Sequence, residues 1–212
     1  MTDHMQTKAE SKTIPDVSTW TFMRAVYKEV KGNSDPIDKA LWKAVAANPN
    51  GLTVPYAVKQ TNDKGRGLFC VEDIPTGSIV CNGLSGRFQS ENQWRQFLGM
   101  LPPHLAKDSV DWALVDEDDE TEEEMVYLDF CDIVFLNHGG TEDGKANVKS
   151  KDFSNGSWGM VATRDIHAGE ELLCDYSQCG SGYDHSLDWY HKVHQEYYPG
   201  VAVDASELNR FT

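Results

Sequence analysis

Three short stretches of the chain carry residues whose types and spacing suit the binding and positioning of a ligand. The stretch DKGRGLF, residues 63–69, places a glycine on each side of Arg66. Glycines let a backbone approach a ligand closely and expose its N–H and C=O groups. The stretch VFLNHGG offers an amide and an imidazole at Asn137 and His138, and ELLCDY ends in a phenol at Tyr176. Each stretch alone also suits a plain turn or a core tyrosine, so the question is whether the three form one site.

The glycines and histidines of the chain indicate neither a dinucleotide fingerprint nor a metal centre. The glycine pair follows one predicted strand and opens another, whereas the dinucleotide fingerprint leads from a strand into a helix. His191 and His194 have the spacing of a ligand pair, but no further ligand cluster accompanies them in the sequence. A helix surface is the simpler interpretation, and we predict no bound metal.

The elements that must position these residues change in character along the chain. Residues 1–17 are polar and predicted to be disordered. A helix is predicted over 18–33, capped by Ser18 or Thr19, and a second over 34–51, capped by Ser34 or Asp35. Short strands between turns follow from residue 52, with one helix at 90–100 and a last helix at 186–198. The predicted fold class is therefore mostly β with helical flanks.

Two strand pairs are expected from neighbouring runs of the sequence. DWALV, residues 111–115, and MVYLDF, residues 125–130, should pair across the acidic segment between them. SWGMVATRDI, residues 157–166, and EELLCDY, residues 170–176, should form a hairpin-like pair that turns at residues 167–169.

The charge of the chain bears on its partners. The formal net charge is −15, and the run DEDDETEEE, residues 116–124, holds eight acidic residues in nine. An acidic chain repels phosphates, so we expect no direct nucleic-acid partner, whereas a basic protein or peptide is favoured. The run also suits a solvated loop. No apolar run is long enough for a membrane span, so no membrane association is predicted.

The cysteines and the first residues bear on the compartment. Five scattered cysteines form no CxxC pair, which argues against a disulfide framework. The first residues show no apolar core of a signal peptide. A nuclear or cytoplasmic location, rather than secretion, is expected.

The three motifs in this order are more specific than any one of them alone. GRGLF, then FLNH, then ATRDIHAGEELLCDY resembles the SET-domain protein lysine methyltransferases, over roughly Val54 to Tyr176. The resemblance implies a β-fold of small sheets with a C-terminal pseudoknot, in which the last strand threads past the Asn-His segment. It implies a SET domain over 52–177 with an inserted helix and acidic loop at 84–125. Residues 1–51 would be an N-terminal extension, and residues 178–212 a helical lid without zinc cysteines.

The same resemblance implies an activity and a site. The cofactor would be S-adenosyl-L-methionine, and the substrate a protein or peptide lysine, of a histone for example. The alternative function is a weak or inactive SET-like module that binds a basic peptide. Tyr176 would be catalytic, and the cofactor would be held by Lys64, Gly65, Arg66, Gly67, Asn137, His138 and Tyr176. The lysine channel would be lined by Cys174, Tyr127 and Trp189.

The sequence also departs from the family pattern. Gly139 and Gly140 follow Asn-His where the family commonly has Ser-Cys, and an expected channel tyrosine is replaced by Gly83, with Tyr127 as a possible substitute. Cys174 stands where the family usually has Phe or Tyr, and its smaller side chain would favour the addition of more methyl groups. Aromatic residues after the motif either cover the site or pack the last helix: Tyr183, Trp189 and Tyr190.

Overall fold

The computed structural model describes residues 14–32, 36–117, 123–139, 145–153, 158–178 and 187–199. Several predicted features lie outside these residues: the disordered start up to residue 13, the caps Ser34 and Asp35, most of the acidic run, Gly140 and Tyr183.

Five α-helices lie among the described residues. The first begins after Asp16, whose carboxylate accepts a hydrogen bond from the Thr19 backbone N–H at 2.8 Å. The predicted cap at Ser18 or Thr19 is wrong, because the Ser18 hydroxyl itself donates to Asp16. The insert contains two helices, whereas the sequence predicted one. The first of the two is capped by Ser90, the residue that precedes it. The helices are α1 (Val17–Lys31), α2 (Pro36–Ala47), α3 (Glu91–Met100), α4 (Pro103–Trp112) and α5 (Asp188–Tyr197).

The described strands form three small sheets. One pairs β1 with β2, one has the order β3-β9-β8-β10-β7, and one has the order β4-β6-β5. These small sheets with helices around them confirm the predicted fold class, and the threading of a pseudoknot stays a prediction. The strands are β1 (Tyr56–Gln60), β2 (Arg66–Cys70), β3 (Ile79–Asn82), β4 (Ser85–Phe88), β5 (Leu114–Glu117), β6 (Glu124–Asp129), β7 (Asn137–His138), β8 (Val148–Asp152), β9 (Trp158–Ala162) and β10 (Leu173–Cys174).

One predicted strand pair is confirmed and the other is wrong. β5 and β6 pair in antiparallel fashion, as expected from the runs on either side of the acidic segment. β9 and β10 do not form a hairpin, because β8 lies between them and pairs with both. β8 has the polar sequence VKSKD, in which only Val148 is buried, so the sequence carries no strand pattern that would announce it.

Helix α1 is tied to the segment that leads into Asn137. The Trp20 indole N–H and the Tyr56 hydroxyl each donate to the Asp132 carboxylate at 2.7 Å. Asp132 begins a short 3₁₀ turn, Asp132–Phe135, immediately before β7. The hydroxyl of Tyr27, a fully buried α1 residue, donates to the Arg87 carbonyl and accepts from the Arg87 N–H. α1 therefore contributes to the core that supports the candidate site.

Helix α5 packs on the two helices of the insert. The buried Tyr190 hydroxyl lies 3.1 Å from the Val110 carbonyl and 3.2 Å from the Ala113 carbonyl, so it satisfies acceptors at the end of α4. Arg95 on α3 forms a two-pronged ion pair with Glu196 on α5, with both N···O distances at 2.7 Å. Tyr190 thus packs α5 on the insert. In the described part of the chain, no helix is both long and apolar enough to cross a membrane.

Candidate functional site

The glycine motif and the Asn-His motif lie side by side. The Asn137 side-chain amide donates to the Arg66 carbonyl at 3.0 Å, and the Lys64 ammonium donates to the His138 carbonyl at 2.7 Å. Residues more than seventy positions apart in the sequence therefore form one polar group at the start of β2 and along β7.

Tyr176 joins this group through the pairing of β10 with β7. The two strands run parallel, with Leu173 opposite Asn137 and Cys174 opposite His138, so the chain leaves β10 beside the Asn-His segment. The Tyr176 N–H donates to Nδ1 of His138 at 3.1 Å, and its hydroxyl donates to the Leu136 carbonyl at 2.9 Å. An accepting Nδ1 places the proton of the neutral imidazole on Nε2. Both the ring and the backbone of Tyr176 are therefore held against the Asn-His segment.

Two residues that the sequence analysis did not select hold the group together. The Glu171 carboxylate accepts a second hydrogen bond from the Asn137 amide at 2.8 Å. Asn147, which is 1 % exposed, donates to the Glu171 carbonyl and accepts from the Leu173 N–H, both at 2.8 Å. A charged residue inside the strand-like run EELLC was the available signal for Glu171. For Asn147 the signal was the family resemblance, in which a Pro-Asn pair follows Asn-His and is matched here, later in the chain, by Ala146-Asn147.

The two glycines of the motif differ in what surrounds them and therefore in why a glycine suits each position. Gly65 has φ +76°, and no atom lies within 4 Å of the position that a Cβ would take, so its backbone faces open space. A Cβ on Gly67 would collide with the Glu171 carboxylate and approach the Asn137 amide nitrogen to 2.9 Å. Gly67 is therefore required by packing inside the group, whereas Gly65 leaves room for a ligand.

The side chain of Arg66 lies away from this polar group. Arg66 is 9 % exposed, and its guanidinium carbon lies 4.6 Å from the Phe135 ring centroid and 5.3 Å from that of Trp112. Its Nη2 lies 3.6 Å from the Asp108 carboxylate on α4. Arg66 thus meets the candidate site through its carbonyl, and its side chain joins β2 to the insert.

The three residues predicted to line the channel lie on three different elements, and their shared role stays a prediction. Cys174 is 2 % exposed and lies next to His138 in the β10–β7 register. Tyr127 is in β6, in a different sheet from β10, opposite Arg87 and Leu114. Trp189 is partly buried on α5, with its ring centroid 6.4 Å from that of Tyr190.

Trp158 occupies the space beside Gly83, where the family resemblance leads one to expect a tyrosine. A Cβ on Gly83 would run into the Trp158 indole. The indole N–H donates to the Ser85 hydroxyl at 3.1 Å, and that hydroxyl donates to the Asp129 carboxylate at 2.6 Å. Burial raises the pKa of Asp129 to about 6. The space beside Gly83 is thus filled by an aromatic ring from β9, and the role of Tyr127 as a substitute for the missing phenol stays a prediction.

Comparison with known proteins identifies the region that holds these residues. A family model described as SET domain matches residues 65–177, which is more than half of the chain. Among solved structures, the chain is similar to the methyltransferase domain of human histone-lysine N-methyltransferase SETMAR. The identity is 24 % and the TM-score 0.43, over 60 % of this chain and 46 % of that one, so less than half of that structure is spanned. No curated protein sequence matches the chain.

Proposed function

The chain belongs to the SET-domain family, and we propose that it is an S-adenosylmethionine-dependent protein lysine N-methyltransferase. One observation supports this function most strongly. Tyr176, its phenol held by the Leu136 carbonyl and its backbone by His138, lies in the same polar group as Lys64 and Asn137. A set of residues collected from three distant motifs suits a shared ligand better than three separate turns.

The residues around Gly65 fit the amino-acid end of such a cofactor. Gly65 has open space at its Cβ position and a positive φ, so its backbone can approach a ligand closely. Lys64 supplies a cation for a carboxylate, and the His138 carbonyl beside it is an acceptor. The Arg66 side chain and the Asn137 amide are engaged within the protein, so we assign them to positioning the backbone. When bound, S-adenosylmethionine supplies an electrophilic methyl group on a sulfonium.

The protein must present a neutral lysine amine in line with the methyl group. Tyr176 donates its proton to the Leu136 carbonyl, which fixes the direction of the phenol and turns its oxygen toward an acceptor role. Such an oxygen can accept an N–H of the target amine and orient its lone pair. Partial desolvation of the substrate lysine disfavours its ammonium form and lowers its pKa, so the ammonium loses a proton more readily before methyl transfer.

The finer assignments are proposals that rest on the chemistry of the chain. The excess of acidic residues favours a basic protein substrate, such as a histone tail. The scattered cysteines favour a reducing compartment, and therefore a nuclear or cytoplasmic site of action. Cys174 leaves more room beside Tyr176 than an aromatic residue would, which favours the transfer of more than one methyl group. Mass spectrometry of the product peptide that found only the monomethyl form would contradict this assignment.

The second candidate is a peptide-binding module without turnover. It is favoured by the engagement of the Asn137 amide, which donates to both Arg66 and Glu171 within the protein. A module of this kind has no need of the cofactor, so cofactor binding separates the two functions.

The deciding experiment is isothermal titration of the full chain with S-adenosylmethionine. We expect micromolar binding that weakens at least tenfold in Lys64→Ala. The matched control is Lys59→Ala, which removes a lysine over the Phe69 ring on the neighbouring strand and should bind as the wild type does. Absence of wild-type binding at millimolar cofactor, with or without a lysine peptide, would overturn the enzyme and leave the module.

A further inference from the structure

We propose that Trp158 and Asp129 form a subsite for a basic side chain of the substrate, separate from the point where the target lysine meets Tyr176. This inference rests on the proposed function in one respect: it takes the ligand to be a peptide. The binding chemistry of the subsite is independent of methyl transfer.

The indole of Trp158 is both fixed and accessible. Its ring packs on Gly83, where any side chain would displace it, and its N–H is held by Ser85. Yet the residue is only partly buried. An aromatic ring that is locked in place loses little conformational freedom on binding, and its face attracts a cation such as an ammonium or guanidinium.

The Ser85 hydroxyl bridges the Asp129 carboxylate and the Trp158 indole nitrogen. The Asp129 Oδ1 accepts from Ser85 at 2.6 Å, and the residue is also partly accessible. Burial raises its pKa to about 6, so the carboxylate is ionised at neutral pH but poorly solvated. A basic side chain that reaches both groups would gain a cation–π contact and a counter-ion together.

Two further charges lie on the same face of the three-stranded sheet. Asp116 lies opposite Met125, and Arg87 lies opposite Tyr127, so both share the face that carries Ser85 and Asp129. The buried Arg87 guanidinium opposes a bound cation, whereas the partly accessible Asp116 adds to the attraction of Asp129. With two carboxylates and one guanidinium, the net charge of this face favours a cation.

The sheet order indicates that this subsite differs from the position of the target lysine. Trp158 is in β9, and β8 lies between β9 and β10, the strand that leads into Tyr176. Neighbouring strands are about 4.8 Å apart, so β9 and β10 are roughly 10 Å apart. Trp158 pairs with Asp152 whereas Cys174 pairs with Val148, so an offset along the strands adds to this spacing. An extended peptide rises about 3.4 Å per residue, so the basic residue should lie at least about three positions from the target lysine.

The first test observes the indole N–H signal of Trp158 by nitrogen-15 NMR of the full chain. The probes are Nα-acetyl-lysine N-methylamide and its neutral analogue Nα-acetyl-norleucine N-methylamide. The Trp158→Phe variant assigns the signal, and the indole of Trp42 on α2 serves as an internal control. We expect the lysine compound alone to shift the Trp158 signal, and Asp129→Asn to reduce that shift at least fivefold. Equal shifts with both compounds, or a shift unchanged in Asp129→Asn, would overturn the subsite.

A second variant keeps the test decisive if Asp129→Asn does not fold. Ser85→Ala retains the carboxylate but releases the indole, and it should also reduce the lysine-dependent shift. An unchanged shift in this variant would show that the locked ring does not hold the ligand.

Methylation kinetics separate the subsite from the proposed function. Two sets of peptides carry one target lysine with either arginine or alanine three and four positions away on each side. We expect KM roughly tenfold lower for the arginine peptides, a difference that Trp158→Leu should abolish while kcat is retained. Methylation without this preference would overturn the subsite alone. A lysine-dependent NMR shift in a chain that methylates no peptide would support the subsite and overturn the enzyme.

Discussion

At the scale of single residues, the candidate site depends on how side chains are held rather than on how reactive they are. Asn137 donates to a carbonyl on β2 and to the Glu171 carboxylate, so it links β7 to β2 and to the segment before β10. Tyr176 is fastened in turn by Leu136 and His138. A phenol held in this way is suited to orienting an amine, because a preorganised hydrogen-bonding group does not have to be ordered during the reaction.

Removal of the Tyr176 hydroxyl should therefore separate binding from turnover. In Tyr176→Phe, we expect kcat to fall about 100-fold, because the amine loses its orienting contact while the ring still packs on His138. Isothermal titration should give a cofactor affinity within twofold of the wild type. A variant that methylates its peptide at the normal rate would show that Tyr176 is not catalytic.

The raised pKa of Asp129 makes a prediction about stability and pH. The carboxyl ionises near its ordinary value of 3.8 in the unfolded chain but only near pH 6 in the folded one, so the folded state binds the proton more tightly. The stability associated with this group is full below pH 4 and is lost as the pH rises to about 6, at most about 3 kcal/mol.

Urea unfolding at pH 4.5 and pH 7 would measure the effect for the wild type and Asp129→Asn. The variant should lose less free energy of unfolding across this range than the wild type. Identical pH dependence in the two proteins would contradict the assignment of the raised pKa to Asp129.

At the scale of elements, the helices of the insert are connected to the glycine motif through Arg66. The guanidinium of Arg66 contacts the Phe135 and Trp112 rings and lies beside Asp108, so it joins β2 to α4. Tyr190 and the Arg95–Glu196 ion pair then join α4 and α3 to α5. A movement of α5 would therefore reach the candidate cofactor loop through packed side chains.

Replacement of Arg66 by lysine should destabilise the chain although the charge is kept. A lysine has no planar guanidinium to place against the two aromatic rings, and it would leave a largely buried carboxylate with a weaker partner. We expect a loss of about 2–3 kcal/mol in the free energy of unfolding by urea titration.

The control for this substitution is Arg164→Lys, which alters an ion pair with Glu170 at the surface. Exposed pairs contribute about 0–1 kcal/mol, so this variant should unfold close to the wild type. Equal losses in the two variants would show that the aromatic stack around Arg66 is unimportant.

At the scale of the whole molecule, the charge of the chain is concentrated in one segment. Residues 116–124 carry eight of the acidic side chains, and this segment connects β5 with β6. The same sheet carries Asp129 and Tyr127 on β6. A concentrated negative charge increases the rate at which a basic peptide is encountered, and salt weakens this effect.

Neutralisation of the acidic run should therefore act on substrates according to their charge. With Asp118, Asp119, Glu120, Glu122 and Glu123 changed to Asn or Gln, we expect KM for a basic peptide to rise several-fold at low salt and to lose most of its salt dependence. Initial rates at 20 mM and 300 mM salt would measure this, with a peptide of zero net charge as the control. A rise in KM that is equal for both peptides would indicate a structural effect instead.

The sequence by itself determined the family, the fold class and the residues around Tyr176. The order of GRGLF, FLNH and ELLCDY was sufficient to identify the family, because each motif is a short local pattern and the three together are specific. The helices α1, α2, α3 and α5 were likewise predicted, because apolar periodicity is read from neighbouring residues. The sequence did not predict β8, because its polar residues show no apolar periodicity that could be read locally.

Only the tertiary structure decided which side chains meet across long separations. The indole of Trp158 lies over Gly83 and bonds to Ser85, seventy-three positions earlier in the chain. Glu171 and Asn147 fasten the Asn-His segment through contacts that no local pattern encodes. Periodicity reports which face of an element is buried, but a contact between two elements depends on their register and order in the sheets. For that reason the sequence could note the missing side chain at Gly83, and only the fold could show that the Trp158 indole fills the space beside it.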